Sequence, residues 1–180
     1  MNFQFDTIST PLGQFSIAID ERGAVAGTAF GGRRVLAARL GPCHLALAPA
    51  ALERERGQVL AYFAGQRSRF SLRLAPRGRP FQHRVWEALR TIPYGETRTY
   101  GEIAGLIGNS AAARAVGRAN GANPLCLFVP CHRVIGADGS LTGFAFGKTT
   151  KRRLLELERS TLRAAQGNRA KIGRATPAPA

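Results

Sequence analysis

Cys131, His132 and Arg133 follow one another in the stretch LFVPCHRVIGADGSLTG, directly after an apolar run that ends at Pro130. A thiol beside an imidazole and a guanidinium could form a nucleophilic centre, because a nearby base or cation lowers the thiol pKa. In an extended strand consecutive side chains point to opposite faces. His132 therefore reaches Cys131 only if the backbone bends after Pro130 or if a water relays the proton. The same stretch also reads as an inert buried cysteine, a common role for a free thiol. Glu158 supplies a third group. Leu154, Leu155 and Leu162 mark one face of the last helical segment, and Glu158 lies on it, four residues from both Leu154 and Leu162. A carboxylate on an apolar face is costly unless paired, and a buried imidazole would suit it. Carboxylate, imidazole and thiol then make an orienter, base and nucleophile. The alternative is a glutamate that swings out toward Arg159 or another arginine.

The elements that must position these groups show two rhythms. Residues 3 to 36 read as short strands of an antiparallel meander, since FQFDTIS and QFSIAID alternate with a period near two and TPLG and DERG are turns. PAALERERGQVLAYFAG predicts an amphipathic helix with Ala51, Leu52, Val59, Leu60 and Phe63 on its apolar stripe. SRFSLRLAPRGRP predicts a strand and then a Pro/Gly/Arg connection, which places a domain boundary between residues 77 and 78. Beyond it, PFQHRVWEALRTI predicts a helix with Phe81, Val85, Trp86 and Leu89 at helical spacing. Thr99-Tyr100-Gly101-Glu102 is a capping-box pattern. Gly108 ends that short helix, Asn109 or Ser110 caps the next, and Gly121 closes it. Two short helices joined by a glycine turn are helix-turn-helix grammar, and ADG at 137–139 suggests the hairpin of a wing. The final helix starts near Lys148 or Thr149 and ends near residue 165, leaving 166–180 as a disordered basic tail.

Lys and Arg number 26 against 11 Asp and Glu, a formal net charge of +15. A field of that sign favours polyanions, nucleic acid first. The second helix of the pair offers Ser110, Ala111, Ala112, Ala113 and Arg114 at its start. Alanines cannot hydrogen-bond base edges, so this helix suits close approach without sequence readout, with Arg114 as its long cation. Three cysteines without a Cys-x-x-Cys spacing argue against structural zinc, and no metal or cofactor is expected. No apolar run has the roughly 20 residues of a membrane helix, and MNFQFDTISTPLG lacks the apolar core of a secretory signal. A cytoplasmic, monomeric protein without a membrane partner is expected.

NPLCLFVPCHRVIGADGSLTGFAFG, FQHRVWEALRTIPYGETRTYGEIA, AAARAVGRANGANP and KRRLLELE together resemble the O6-alkylguanine-DNA alkyltransferases over about residues 78 to 158. The resemblance implies an α+β fold: an N-terminal ribonuclease-H-like α/β domain over 1–77, then a mostly helical winged helix-turn-helix domain over 78–165. It implies irreversible, single-turnover transfer of an alkyl group from O6-alkylguanine, with O4-alkylthymine as a second candidate substrate, in double-stranded DNA after base flipping. Carried over by position, Cys131 is the acceptor, His132 deprotonates it through a water and Glu158 orients His132. Tyr100 is the proton donor to the departing guanine, and Asn123 holds the active-site turn. Arg114 fills the gap left by the flipped nucleotide, with Ser110, Ala112, Ala113 and Gly117 on the DNA. Pro130, Val134, Phe144 and Ala145 line the substrate pocket.

Three positions depart from the family pattern: Arg79 where Thr is usual, Ser110 where Pro is frequent and Phe144 where Tyr is common. None is part of the proton relay. Among rivals, the alkyltransferase-like proteins bind the lesion but replace the acceptor cysteine, which this chain keeps. A transcription regulator would carry polar base-reading side chains on its second helix. A Cys-His hydrolase would need an oxyanion hole and no DNA-binding element.

Overall fold

The computed structural model describes residues 1–173, with side chains to residue 167. Its class is α+β, as expected. Four strands form the N-terminal sheet in the order β3-β2-β1-β4: β1 (Asn2–Thr10), β2 (Gly13–Ile19), β3 (Val25–Phe30) and β4 (His44–Leu47). β1, β2 and β3 are the antiparallel meander that the alternation predicts. β4 returns parallel to β1, with Phe3 opposite Leu45.

Part of the stretch expected as strand is helical. α1 (Arg33–Leu40) provides the crossover that brings β4 back parallel. Arg, Leu and Ala are strong helix formers, and Gly31, at φ 129°, breaks the strand before them. β4 has only four residues, too few for a period to show. α2 (Glu53–Phe63) follows a 3₁₀ turn over Pro49–Leu52. Its buried stripe is Leu52, Val59, Tyr62 and Phe63, whereas Leu60 is 45% exposed and Ala51 is also exposed. Tyr62 takes the place expected of Leu60.

The strand expected in SRFSLRL reduces to a single bridge between Leu74 and Val25. Upstream of it, the backbone of Ser71 is satisfied by side chains of α2 instead of a ladder. Gln58 Oε1 accepts from Ser71 N at 2.9 Å, and Arg54 Nη2 donates to Ser71 O at 2.5 Å. Buried and half-buried backbone groups need some partner, and a neighbouring strand is one choice among several.

The second half contains α3 (Pro80–Arg90), β5 (Arg98–Thr99), α4 (Tyr100–Leu106), α5 (Ala113–Gly121), β6 (Val134–Ile135) and α6 (Gly147–Gly173). The α4 capping box is present: Glu102 N donates to Thr99 Oγ1 at 3.1 Å, and Thr99 N to Glu102 Oε2 at 2.6 Å. At α3 only half a box forms. Arg79 N donates to Gln82 Oε1 at 2.7 Å, but a guanidinium has no acceptor with which to reciprocate.

α4 and α5 are joined through Gly108, at φ 75°, and a 3₁₀ turn over Ser110–Ala112. Neither Asn109 nor Ser110 makes a side-chain cap, and Gly121 is the last helical residue with Ala122 as the cap. The ADG turn is closed by Gly136 N donating to Ser140 O at 2.9 Å. No returning strand follows it among the described residues, and β6 pairs instead in parallel with β5. α6 continues past residue 165 to Gly173. Ala164, Ala165 and Gln166 are good helix formers, and the interior glycine at 167 costs only about 1 kcal/mol. The rest of the expected tail lies outside the described residues.

One hydrophobic cluster runs through both halves of the chain. Phe15, Ile17 and Val59 from the first half meet Trp86, Leu89, Val116, Leu125 and Leu154 from the second. A smaller cluster of Phe3, Phe5, Leu36 and Leu45 lies between the other face of the sheet and α1. The 123–134 segment is therefore sandwiched between the sheet and the C-terminal helices.

Candidate active site

Cys131, His132 and Arg133 form a single 3₁₀ turn with Pro130 at its N-cap, so the backbone bends here instead of extending. The turn is buried: Cys131 is 3% exposed and His132 is fully covered. Two sharp features hold the approach to it. Asn123 Nδ2 donates to Val129 O at 3.0 Å and its Oδ1 accepts from Leu125 N at 3.0 Å, stapling both ends of the loop. Leu127, inside that loop, sits at φ 75°, a left-handed conformation that costs a leucine about 1 kcal/mol or more. Its side chain is buried, which keeps it there.

Glu158 is fully buried on α6 and faces inward. The swung-out alternative does not occur. Its carboxylate collects partners from four residues. His132 Nε2 lies 2.9 Å from Oε1, and Tyr62 Oη donates to the same oxygen at 2.6 Å. Arg133 donates through Nη2 to Oε1 at 2.9 Å and through Nε to Oε2 at 3.0 Å. The Gly95 amide donates to Oε2 at 2.8 Å. Gly95 has φ 79°, a left-handed conformation that favours glycine, and the approach of its amide to the carboxylate uses it. Leu162 is 39% exposed and belongs to the rim of the face rather than its interior.

Burial alone would raise the Glu158 pKa, but His132 and Arg133 outweigh it and hold the carboxyl well below the usual range. Burial lowers the His132 pKa, against the pull of Glu158, so the ring is neutral near pH 7. With Nε2 facing a carboxylate, the proton sits on Nε2. Nδ1 then carries a lone pair, and this buried atom has no protein partner among the described residues. No hydrogen bond joins His132 directly to Cys131 among them. Burial pushes the Cys131 thiol up, while the Asn123 side chain, Arg39 and Lys151 favour the thiolate.

Lys151, one helical face with Glu158 and fully buried, donates to the carbonyls of Val134 and Thr142. Burial lowers its pKa to about 8. Tyr100 Oη donates to the same Thr142 carbonyl at 2.8 Å, and burial holds the phenol protonated beyond its ordinary range. The ring passes over Gly143, at φ 67°, where a Cβ would collide with Tyr100 Oη.

The other expected residues separate into groups. Pro130 and Val134 are buried on either side of the 131–133 turn. Phe144 stacks edge-to-face on Phe146 and on Phe30 of the sheet, at 5.6 Å and 6.4 Å. Ala145 is exposed. Ser110 and Arg114 are exposed, with Ala112, Ala113 and Gly117 half-buried beside them along α5. Sequence reasoning missed the first half's share of the site. Arg39 Nη2 donates to Asn123 O at 2.6 Å, and Thr28 Oγ1 to Cys126 O at 2.9 Å. Tyr62 and Lys151 were also missed. Lys151 lies one heptad before Glu158 on the same helical face, a signal the spacing does carry.

A match to the family model described as 6-O-methylguanine DNA methyltransferase, DNA binding domain, spans residues 80–160. The methylated-DNA–protein-cysteine methyltransferase of Mycobacterium bovis is 49% identical over 158 residues, 87% of this chain and 92% of the relative. This chain belongs to the methylated-DNA–protein-cysteine methyltransferase family. The member from Methanosarcina acetivorans is 61% identical over 103 residues, 57% of this chain and 66% of its own. The crystal structure of Mycobacterium tuberculosis OGT in complex with DNA superposes with a TM-score of 0.79 at 45% identity, covering 89% of this chain and 94% of that one. The O6-methylguanine-DNA methyltransferase of Pyrococcus kodakaraensis superposes at 0.60 with 25% identity, covering 87% and 98%. The family likeness therefore extends to the N-terminal sheet.

The protonation states of this methyltransferase site have a measurable consequence. The fold keeps His132 neutral, whereas the unfolded chain protonates it near pH 6.5, so proton uptake favours unfolding below that pH. Glu158 acts in the same direction. Its contribution is present above the ordinary carboxylate pKa of about 4.3 and is lost as pH falls through its lower folded value. Denaturant midpoints are expected to decline steadily below about pH 6.5. A His132→Gln variant should lose the portion of that decline between about pH 6.5 and 5; an unaltered profile would show that His132 titrates normally in the fold.

Proposed function

We propose that this chain repairs duplex DNA by taking the alkyl group of O6-alkylguanine onto Cys131 in one irreversible turnover. The observation that carries this reading is the buried His132–Glu158 contact of 2.9 Å beside a retained cysteine, in a chain of the methyltransferase family. His132 Nδ1 accepts the Cys131 proton through a water, and Glu158 stabilises the imidazolium that forms. The thiolate attacks the alkyl carbon, so an S–C bond forms as the O6–C bond breaks. Tyr100 supplies the proton that makes guanine a neutral leaving group. The product is a thioether, which water does not cleave.

The lesion base reaches the thiol by flipping, which costs a few kcal/mol and less for a weakly paired base. Exposed Arg114 on α5 occupies the space it leaves. Ser110, Ala112, Ala113 and Gly117 bring the helix close to the backbone without reading sequence, which suits a lesion that arises anywhere. Retention of Cys131 favours transfer over lesion binding alone. The net charge of +15 supports a DNA affinity that falls with salt.

The test is to incubate the protein with duplex containing O6-methylguanine, digest it and weigh the peptide that holds Cys131. A gain of one methylene mass on that peptide, with stoichiometry of one per chain, is expected. Stable capture of unaltered lesion DNA with an unmodified Cys131 would favour the binding-only reading.

A further inference from the structure

Tyr62 belongs to α2, in the half of the chain that the family's DNA-binding-domain match does not cover. It is fully buried and lies 96 positions before Glu158. Its hydroxyl nevertheless makes the shortest hydrogen bond at the carboxylate, 2.6 Å to Oε1. Oε1 is also the oxygen that meets His132 Nε2. The ring is fixed on three sides, by Phe63, Phe70 and Tyr94 with centroids 5.4 to 5.8 Å away. A hydroxyl on so constrained a ring has one place to point.

We propose that Tyr62 is a positioning residue for alkyl transfer, its hydroxyl fixing the Glu158 carboxylate in the orientation that meets His132. This rests on the transfer reading above. Arg133 and Gly95 already bracket the carboxylate, but Arg133 spans both oxygens and Gly95 binds only Oε2. Tyr62 is the neutral donor that distinguishes Oε1. It thereby ties the N-terminal helix to the proton relay. It also competes, alongside Arg133, for the Oε1 electron density that meets His132. Removing the hydroxyl leaves Oε1 a stronger acceptor toward His132, so the imidazolium becomes easier to form. The other charged and titratable groups facing this pair are Arg133, Lys151, Cys131 and Tyr94. Of these, Tyr94 also packs on the Tyr62 ring, a contact that phenylalanine preserves.

The experiment compares wild type with Tyr62→Phe in the full chain. Single-turnover methyl transfer is followed against pH, and the His132 ring ¹⁵N shifts are titrated without DNA. Transfer at about pH 7.5 is expected to slow about 10-fold, because a relay that is no longer held in orientation loses roughly one hydrogen bond's worth of transition-state stabilisation, which outweighs the more basic ring. The His132 titration and the acid limb of the rate profile should both move to higher pH, by on the order of one unit. Slower transfer with both pH dependences unmoved would reduce Tyr62 to a packing role and overturn the proposal, as would an unchanged rate. A chain carrying a fluorinated tyrosine at 62, of the same shape but a stronger donor, should move the His132 titration the opposite way. No movement there would also overturn it. If wild type transfers no methyl group, the functional reading falls, while the His132 titration still decides for or against Tyr62.

Discussion

Cys131→Ser is expected to abolish alkyl transfer while the variant still captures lesion-containing duplex with near wild-type affinity. Serine and cysteine differ little in size, so a buried turn held by Asn123 and by the Leu127 backbone should keep its shape. The chemistry differs far more. The nucleophile must be an anion; a thiol ordinarily titrates near pH 8.5, and although burial pushes Cys131 above that, the Asn123 side chain, Arg39 and Lys151 pull it back toward the thiolate. An aliphatic hydroxyl lies many units higher, and the pair His132–Glu158 cannot bridge that interval. Sulfur is also the softer partner for an alkyl carbon. Electrophoretic mobility on labelled duplex and loss of label transfer to protein check the two halves separately. Residual transfer to the hydroxyl of the Cys131→Ser variant would show that the relay is a far stronger base than its geometry implies.

Arg133→Met is expected to lower stability by about 3–5 kcal/mol, because removing one partner of a buried ion pair leaves the other charge uncompensated. For a chain of this length that corresponds to roughly 6–20 °C in thermal midpoint. Arg133 is 6% exposed, its Nε and Nη2 are spent on Glu158, and its Nη1 donates to Ile92 O at 2.8 Å. The loss should be mostly the penalty on Glu158, since burial of the carboxylate persists. The double variant Arg133→Met/Glu158→Gln, which removes the charge but keeps an oxygen to accept from Tyr62 and His132, should therefore recover part of the stability while transfer stays impaired. If the double variant is as unstable as the sum of the singles, the cost lies in packing around the arginine stem instead of in the charge.

The centre of this site is legible without coordinates. Cys131, His132 and Glu158 announce themselves because two are adjacent and the third breaks an apolar stripe, and the capping box at Thr99 marks α4 by local chemistry alone. The antiparallel meander follows from alternation. What stays hidden lies at long sequence separation. Tyr62 meets Glu158 across 96 positions, Arg39 meets Asn123 across 84 and Thr28 meets Cys126 across 98. Each of these residues looks ordinary in its own segment: an aromatic on a helix stripe, one more arginine, a strand threonine. The strand expected in SRFSLRL shrinks to the single bridge at Leu74 for the converse reason, since side chains of α2 take over the backbone bonds at Ser71. Local pattern reports which groups want partners. It does not report which distant segment supplies them.

α6 sets a length as well as a surface. Lys151 grips the loop carbonyls of Val134 and Thr142, and Glu158, about seven residues and two turns later, grips His132. Seven residues of helix span about 10.5 Å and return to nearly the same face. The helix is thus a ruler with two marks, one for the loop that carries the Tyr100 contact and one for the relay. One residue inserted between the marks would turn the second by about 100° and advance it by about 1.5 Å. Substitutions along the outer face of α6 are tolerable to this device, but a change in count between 151 and 158 is not.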